Sequence, residues 1–140
     1  MIRRRDNWPE LLDAHLREWR SRPFAFGDND CVSFAAAWLE RLGYVFPLAG
    51  LGTWDSALSA ARVYHALGGF EHAVAAQLHA LGCDRIAPAL AMRGDLVVVP
   101  AGAKERPLLA IVNGRFAEAH SDNGAVQVPF IETALSAWRI

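Results

Sequence analysis

The sequence has few of the features that mark a secreted, membrane-spanning or nucleic-acid-binding protein. Its two cysteines are too few for a disulfide framework, so we expect Cys31 and Cys83 to be free thiols. No apolar run approaches the length of a membrane helix, and the charged start of the chain is unlike a signal peptide. The formal net charge is -1, and basic residues are dispersed beyond the arginine triplet at 3–5, which we expect to be a solvated tail. Neither nucleic acid nor membrane insertion is therefore predicted.

Metal and cofactor motifs are missing as well. No pair of His, Cys or carboxylate residues has the spacing of metal ligands, and Gly50-Leu-Gly52 lacks the strand and the lysine of a phosphate-binding loop. Apolar residues make up 53% of the 140 residues and charged residues 21%, which is enough for a packed core. With no linker or internal repeat, residues 1–140 are predicted to form a single domain without cofactor or metal.

The spacing of apolar residues predicts helices in the first part of the chain. One of them, about Asp30 to Leu42, carries the most apolar face and is expected to be the most buried element. The others are a first helix begun by Asn7 and Pro9 and broken at residues 21–23, a third from a Thr53 cap to about Leu67, and a fourth from Phe70 to Gly82.

The rest of the chain has the pattern of strands and tight turns. Runs of aliphatic residues predict strands over Asp95–Val99 and Leu108–Val112, and Asn113-Gly114 predicts a hairpin into a third strand. A second turn leads into a strand over Ala125–Val128, and a short helix is predicted near Ile131 to Ser136. Helices followed by an antiparallel meander predict an α+β fold.

Cys31 stands at the start of the most apolar helix, directly after a polar loop. Free backbone N–H groups and the helix dipole favour a thiolate there, and they help to stabilise an oxyanion on an attacked carbonyl. From position alone, however, a small buried side chain is a commoner outcome than a nucleophile. Asp30 opposes a thiolate by its charge, and we expect it to cap the helix instead. Cys83, in a loop where no helix begins, is expected to be structural.

Three short blocks resemble the NlpC-type cell-wall peptidases of the papain-like superfamily, in the same order along the chain. They are Phe24-Ala-Phe-Gly27 with Asp30-Cys31 and Phe34, then Arg93-Gly94-Asp95-Leu96-Val97-Val98-Val99, and then Leu108-Leu109-Ala110-Ile111-Val112 with its return at Phe116. The resemblance implies a papain-like fold in which N-terminal helices pack on a small antiparallel sheet. It also implies that Cys31, on the central helix, stands at the position of the peptidase nucleophile.

The chain departs from these peptidases at two positions. The histidine that serves as their general base corresponds to Leu108, or to Leu109 if the register shifts, and neither side chain accepts a proton. The tyrosine near their oxyanion site corresponds to Phe24, which has no hydroxyl.

His120 is the histidine best placed to act as an alternative base. It follows the third predicted strand, near the position of the residue that orients the base in these peptidases, within about two residues of register. A Cys31–His120 dyad is one interpretation, and a turn residue beside Ser121 and Asp122 is the commoner one. The other histidines lie on predicted helices, where surface or structural roles are expected: His15, His65, His72 and His79.

Two functions follow from the resemblance. The chain is most similar to the short NlpC-like proteins of phage, prophage and gene-transfer-particle tail clusters, and the missing base favours a structural component of a tail tip or baseplate that has lost catalysis. Its partners would be other tail proteins of the hub or distal-tail type, and its location the virion, after assembly in the host cytoplasm. The alternative is an active cysteine amidase or endopeptidase that cleaves peptidoglycan peptides during cell entry, with Cys31 as nucleophile and His120 as base.

Overall fold

The computed structural model describes residues 4–45, 54–100, 107–121 and 124–140. Within these ranges the helices are α1 (Trp8–Arg20), α2 (Cys31–Arg41), α3 (Ala57–Ala66) and α4 (Phe70–Ala80), with a 3-10 helix at Pro88–Leu90. The strands are β1 (Asp84–Ile86), β2 (Leu96–Val99), β3 (Leu108–Asn113), β4 (Phe116–Ser121), β5 (Gly124–Pro129) and β6 (Ser136–Arg139). The predicted α+β class is confirmed.

The described strands form one antiparallel sheet of six strands in the order β1-β6-β2-β3-β4-β5. β3 and β4 form the predicted hairpin, in which Asn113 pairs with Phe116 across the two-residue turn Gly114-Arg115. Gly114 takes a φ of 76°, a conformation that glycine adopts without the steric cost of a Cβ. The turn therefore lies one residue later than Asn113-Gly114, and β4 begins at Phe116.

α2 is the most buried of the described helices, as its apolar face predicts. Asp30 begins it with a capping box: the Asp30 carboxylate accepts a hydrogen bond from the Ser33 N–H, and the Ser33 hydroxyl accepts one from the Asp30 N–H. Further along, the indole of Trp38 donates to the carbonyl of Gly94 at 2.9 Å, just before β2. Because α2 packs on β3 and β4, its first residue, Cys31, lies against the sheet.

Asp95 ties the first and last described residues to the start of β2. Its Oδ1 accepts hydrogen bonds from the Arg4 guanidinium at 2.5 Å and from the Ile140 N–H at 3.0 Å. Its Oδ2 accepts one from the Met92 N–H at 2.8 Å and lies 3.1 Å from Nε of Arg139. A fully buried carboxylate needs such partners, so the prediction of a solvated tail is wrong for Arg4.

The predicted start of α3 is wrong. Ser56 is the N-cap, since its hydroxyl accepts a hydrogen bond from the Ser59 N–H and the Ser59 hydroxyl accepts one from the Ser56 N–H. The predicted cap, Thr53, lies outside the described residues. Ser56 is also a polar residue before an apolar run, so the capping rule that predicts Thr53 fits Ser56 equally well.

The helix predicted near Ile131 to Ser136 is also wrong. The segment makes a single turn, in which the Ala134 N–H donates to the Phe130 carbonyl, and Ser136 then begins β6. β6 pairs with β1 on one side and with β2 on the other, so its backbone groups are satisfied by two ladders rather than by a helix.

None of the helices in the described ranges combines the length and the apolar character of a membrane span. The longest of them, α1, has 13 residues and one buried face. Cys31 and Cys83 are both free and buried, as predicted.

Candidate functional site

Cys31 is the first residue of α2, and its sulfur lies beside the backbone of β3. The residue is 9% exposed. Burial raises the pKa of the thiol to about 12, and the charge of Asp30 raises it further. The backbone N–H groups of Leu109, Cys31 and Val32 favour the thiolate and act in the opposite direction. The thiol is therefore protonated at neutral pH, the opposite of what a helix N-terminus alone predicts.

Asp30 is engaged as the cap of α2, as predicted. Its Oδ1 accepts hydrogen bonds from the Ser33 N–H at 2.9 Å and the Ser33 hydroxyl at 2.8 Å. Its Oδ2 accepts from the Gly27 N–H at 2.8 Å and from the indole N–H of Trp54 at 2.7 Å. With both oxygens occupied, this carboxylate holds the loop before Cys31 and does not orient a base.

Leu109 is the residue of β3 whose backbone contacts the Cys31 sulfur. The printed β3–β4 pairs end at Ile111 with Glu118, and the same register extended by two residues would set Leu109 opposite His120. Glu118 binds Arg20 of α1, so α1 lies on the face of β4 that carries Glu118. Of the two leucines at which the resemblance predicts a missing base, Leu109 is the one whose backbone lies at the Cys31 sulfur.

His120 is buried at 1% exposure on the same face of the sheet. Its ring lies 5.5 Å from that of Trp19 in an edge arrangement, 6.3 Å from that of Phe24 and 6.4 Å from that of Phe34. Neither ring nitrogen makes a hydrogen bond of normal geometry with a described residue, and this includes the Cys31 thiol. Burial lowers the pKa of His120, although the Pro23 carbonyl and the Asp30 charge act in the opposite direction.

No Cys31–His120 hydrogen bond is therefore present between these described residues. The dyad stays a prediction, since its formation requires a movement of one side chain toward the other. The alternative interpretation of His120, as a turn residue, does not fit its place within β4 among the aromatic rings. Phe24 is one of those rings.

Two aromatic residues of the site escaped sequence analysis. Tyr64 of α3 lies near Cys31 and Asp30: burial raises the pKa of its phenol, and the charges of both groups raise it further. Trp54 donates to Asp30 and contacts the Tyr64 ring at 5.3 Å between centroids. Neither belongs to a block that resembles the peptidases, and nothing local in the sequence connects them with Cys31.

The other histidines are either buried in the core or exposed on helices. His15 is fully buried, with its Nε2 2.9 Å from the Phe34 carbonyl, while the other three are exposed on α3 and α4: His65, His72 and His79. The predicted structural and surface roles fit these positions. Among the described residues there is no group of three His, Cys, Asp or Glu side chains that could hold a metal ion.

A family model described as a domain of unknown function, DUF6950, matches residues 3–140. The chain belongs to the DUF6950 family. No curated protein matches it. The geometry of this DUF6950 domain at Cys31 consists of a neutral thiol with the backbone N–H groups of Cys31, Val32 and Leu109 at its sulfur.

Proposed function

We propose that this chain is a non-catalytic domain of the papain-like, NlpC-type fold that serves as a structural component of a phage-type tail tip or baseplate. The observation that carries the loss of catalysis is the contact between the Cys31 sulfur and the backbone of Leu109, at the position where an imidazole would have to stand. The tail assembly itself is inferred from the sequence resemblance.

The arrangement of elements supports the papain-like fold. A cysteine begins the most buried helix, this helix packs on neighbouring strands of an antiparallel sheet, and the strand beside the thiol is the second of the two that resemble the peptidases. Asp95 belongs to the block before β2 that resembles the peptidases. Its buried carboxylate binds the first and last described residues, and it does not lie at the thiol.

The protonation state of the thiol supports the loss of catalysis. A thiol whose pKa is about 12 provides roughly a thousandfold less thiolate at pH 7 than one with the ordinary value. An adjacent base normally corrects this in a cysteine hydrolase, and Leu109 offers only its backbone. The ring nitrogens of His120 make no hydrogen bond of normal geometry with the sulfur.

Alkylation tests this part of the proposal directly. Purified protein is treated with iodoacetamide at pH 7, and the rates at Cys31 and Cys83 are measured by peptide mass spectrometry. Burial raises the pKa of both thiols, so Cys83 serves as an internal control, and we expect both to react slowly. Preferential alkylation of Cys31, together with release of products from wall peptides, contradicts the proposal.

The structural role needs a contact surface for other tail proteins. Leu90 and Met92 are 63% and 52% exposed in an uncharged stretch, residues 86–92, and the Arg139 guanidinium donates to the Leu90 carbonyl at 2.8 Å. We expect a complex with a hub or distal-tail protein from the same tail cluster, measured by size-exclusion chromatography with light scattering. Leu90→Asp with Met92→Asp should abolish it, whereas Leu58→Asp, exposed on α3, should not. Failure to bind any tail protein contradicts this role.

The second candidate function is an active cysteine amidase or endopeptidase. The backbone N–H groups of Cys31, Val32 and Leu109 surround the sulfur and could serve as oxyanion donors, and His120 is buried on β4 without a hydrogen bond of normal geometry at either nitrogen. In this mechanism His120 moves toward Cys31 and takes the thiol proton, and the thiolate attacks the amide carbonyl. The C–N bond breaks to give a thioester, and the amine leaves with the proton from His120. Water, deprotonated by His120, then hydrolyses the thioester to release the acid and regenerate the Cys31 thiol.

Variants separate the two functions. If the chain is an amidase, Cys31→Ala and His120→Ala each remove cleavage of wall peptides, while His79→Ala, on the exposed face of α4, leaves it unchanged. If the chain is structural, the wild type already shows no cleavage above background and Cys31→Ala retains binding to the tail protein.

A further inference from the structure

Two buried imidazoles contact the ring of Phe34 from different elements. His15 on α1 is fully buried and stacks on Phe34 at 5.2 Å between centroids, and His120 on β4 lies 6.4 Å from the same ring. Trp19 joins them, at 5.8 Å from His15 and 5.5 Å from His120. One aromatic cluster thus connects α1, α2 and β4, one turn along α2 from Cys31.

The hydrogen bonds of these rings suit only their neutral forms. His15 uses Nε2 as a donor to the Phe34 carbonyl, and its Nδ1 has no partner among the described residues. Neither nitrogen of His120 makes a hydrogen bond of normal geometry there, and the one acceptor close to the ring is the Pro23 carbonyl, which can serve a single N–H. Buried polar atoms are normally paired, and a second proton on either ring would add a donor and a charge with no acceptor in place.

We propose that His15 and His120 form an acid-sensitive lock, in which protonation of either ring loosens α1 and the loop before Cys31 from the sheet. The neutral rings pack as aromatic side chains and hold the three elements together. A charged ring needs an added acceptor or a counter-ion, and the described side chains around the cluster do not supply one. The proposal does not depend on whether Cys31 is catalytic.

The charges around the cluster do not supply that counter-ion. Asp30 and Glu118 favour a charged His120 and Arg22 opposes it, but Asp30 already accepts its four hydrogen bonds and Glu118 binds Arg20. Around His15, Glu18 favours the charge, whereas Arg41 and Arg22 oppose it. Burial outweighs these charges at both rings: it lowers the pKa of His15 to about 4 and lowers that of His120.

The direction of the pH effect follows from proton binding. The unfolded or opened chain takes up protons on both histidines below about pH 6.5, while the closed cluster does not. The closed form is therefore fully favoured above about pH 6.5, and its equilibrium constant falls by up to about tenfold per pH unit for each histidine below it. For His15 this loss continues to about pH 4.

Reaction of the two cysteines with dithiodipyridine, which modifies thiols at acidic pH, tests the lock on the intact chain. Cys31 lies beside the loop that the cluster holds, whereas Cys83 is buried near Tyr44. Between pH 7 and pH 5 we expect the rate at Cys31 to rise at least tenfold relative to the rate at Cys83. Equal acceleration of both cysteines indicates global unfolding, and an unchanged ratio indicates no acid response; either result overturns the proposal.

His120→Phe keeps an aromatic ring and removes the titration, so it should reduce the rise at Cys31, while His79→Gln, at an exposed histidine, should leave it unchanged. If His120→Phe does not fold, the wild-type imidazole signals are titrated by NMR instead. We expect the His15 signals to show no protonation above pH 5. If both buried rings titrate with the ordinary histidine pKa of about 6.5, the closed cluster accepts charged rings without loss, and the proposal is wrong.

Discussion

A buried thiol attacks a carbonyl at neutral pH only when a neighbouring group takes its proton, and the group beside Cys31 is the backbone of Leu109. The resemblance in sequence predicts a missing base at Leu108 or Leu109 and does not separate the two. A shift of one residue moves a side chain to the other face of a sheet, so the choice depends on strand register. The contact of the Leu109 backbone with the Cys31 sulfur makes Leu109 the position to test.

Leu109→His should restore reactivity to Cys31. The new imidazole lies on the helix-facing side of β3, where it can pair with the thiol and with His120, and such pairing lowers the pKa of a cysteine. We expect iodoacetamide to alkylate Cys31 at least about tenfold faster at pH 7 than in the wild type. Ile111→His, on the same face two residues further along β3, is the control. Equal rates in the two variants would show that Leu109 does not occupy the position of the base.

Gly27→Ala should be strongly destabilising. Gly27 takes a φ of +85°, and an added Cβ would lie 2.3 Å from the Trp54 carbonyl oxygen. Gly114, with a φ of +76° and open space around it, gives a matched comparison without the clash. In urea unfolding we expect a loss of about 1 kcal/mol for Gly114→Ala from the backbone conformation and at least about 2 kcal/mol more for Gly27→Ala. Equal losses would mean that the Trp54 contact does not constrain the loop.

Some residues of the site could not have been found from sequence. Tyr64 and Trp54 reach Cys31 and Asp30 from a segment that follows residues 46–53, and no spacing rule links them to the thiol. The helix N-terminus favours a thiolate at Cys31, but position alone already made a small buried side chain the commoner outcome. A helix N-terminus lowers the pKa of a thiol only when the site is open enough for the charge to be solvated, and burial here has the larger effect.

Among the elements, those with a strong local signal were predicted best. α2 extends from Cys31 to Arg41, with Asp30 and Leu42 as its caps, within the predicted limits. The β3–β4 hairpin was predicted from its turn residues. β1, with three residues, and β6 lack such a signal, because their strand character comes from pairing with neighbours distant in sequence.

Two of the described helices begin with a capping box, and the two boxes differ in burial, so together they test how burial changes the stability that a cap contributes. The box of α3 at Ser56 is exposed, and Ser56→Ala should cost about 1 kcal/mol of unfolding free energy. The box of α2 at Asp30 is buried and also receives the Gly27 and Trp54 N–H groups, so Asp30→Ala should cost about 2–4 kcal/mol. Thermal or urea unfolding gives both values. A loss at Asp30 no larger than that at Ser56 would show that the loop donors find other acceptors.

At the scale of the whole molecule, Asp95 is the point at which the first and last described residues meet the sheet. It carries no chemistry at the thiol, although its Gly-Asp block is one of the three that resemble the peptidases. The sequence does not indicate that Asp95 holds these residues together, because its partners come from both ends of the described chain.

Asp95→Asn should therefore destabilise the entire domain. The substitution keeps the shape of the side chain but removes the charge that faces Arg4 and Arg139. Breaking one side of a buried ion pair typically costs about 3 kcal/mol or slightly more. Chemical unfolding monitored by tryptophan fluorescence measures the loss, and Asp84→Asn, at an exposed position of β1, is the control. A loss of less than about 1 kcal/mol would show that the backbone hydrogen bonds around Asp95 hold this region together without the carboxylate charge.

The region around Asp95 also brings Arg4 and Ile140 into direct contact, since the Arg4 guanidinium donates to the Ile140 carbonyl at 2.6 Å. Residues so far apart in sequence and so close in space can be joined by a short linker without a change of path. A circular permutant that is closed there and opened at the exposed Gly114-Arg115 turn would keep the Asp95 contacts and cut a loop that buries no side chain. If this permutant folds with the stability of the wild type, the packing of the sheet does not require the order in which the chain connects its helices and strands.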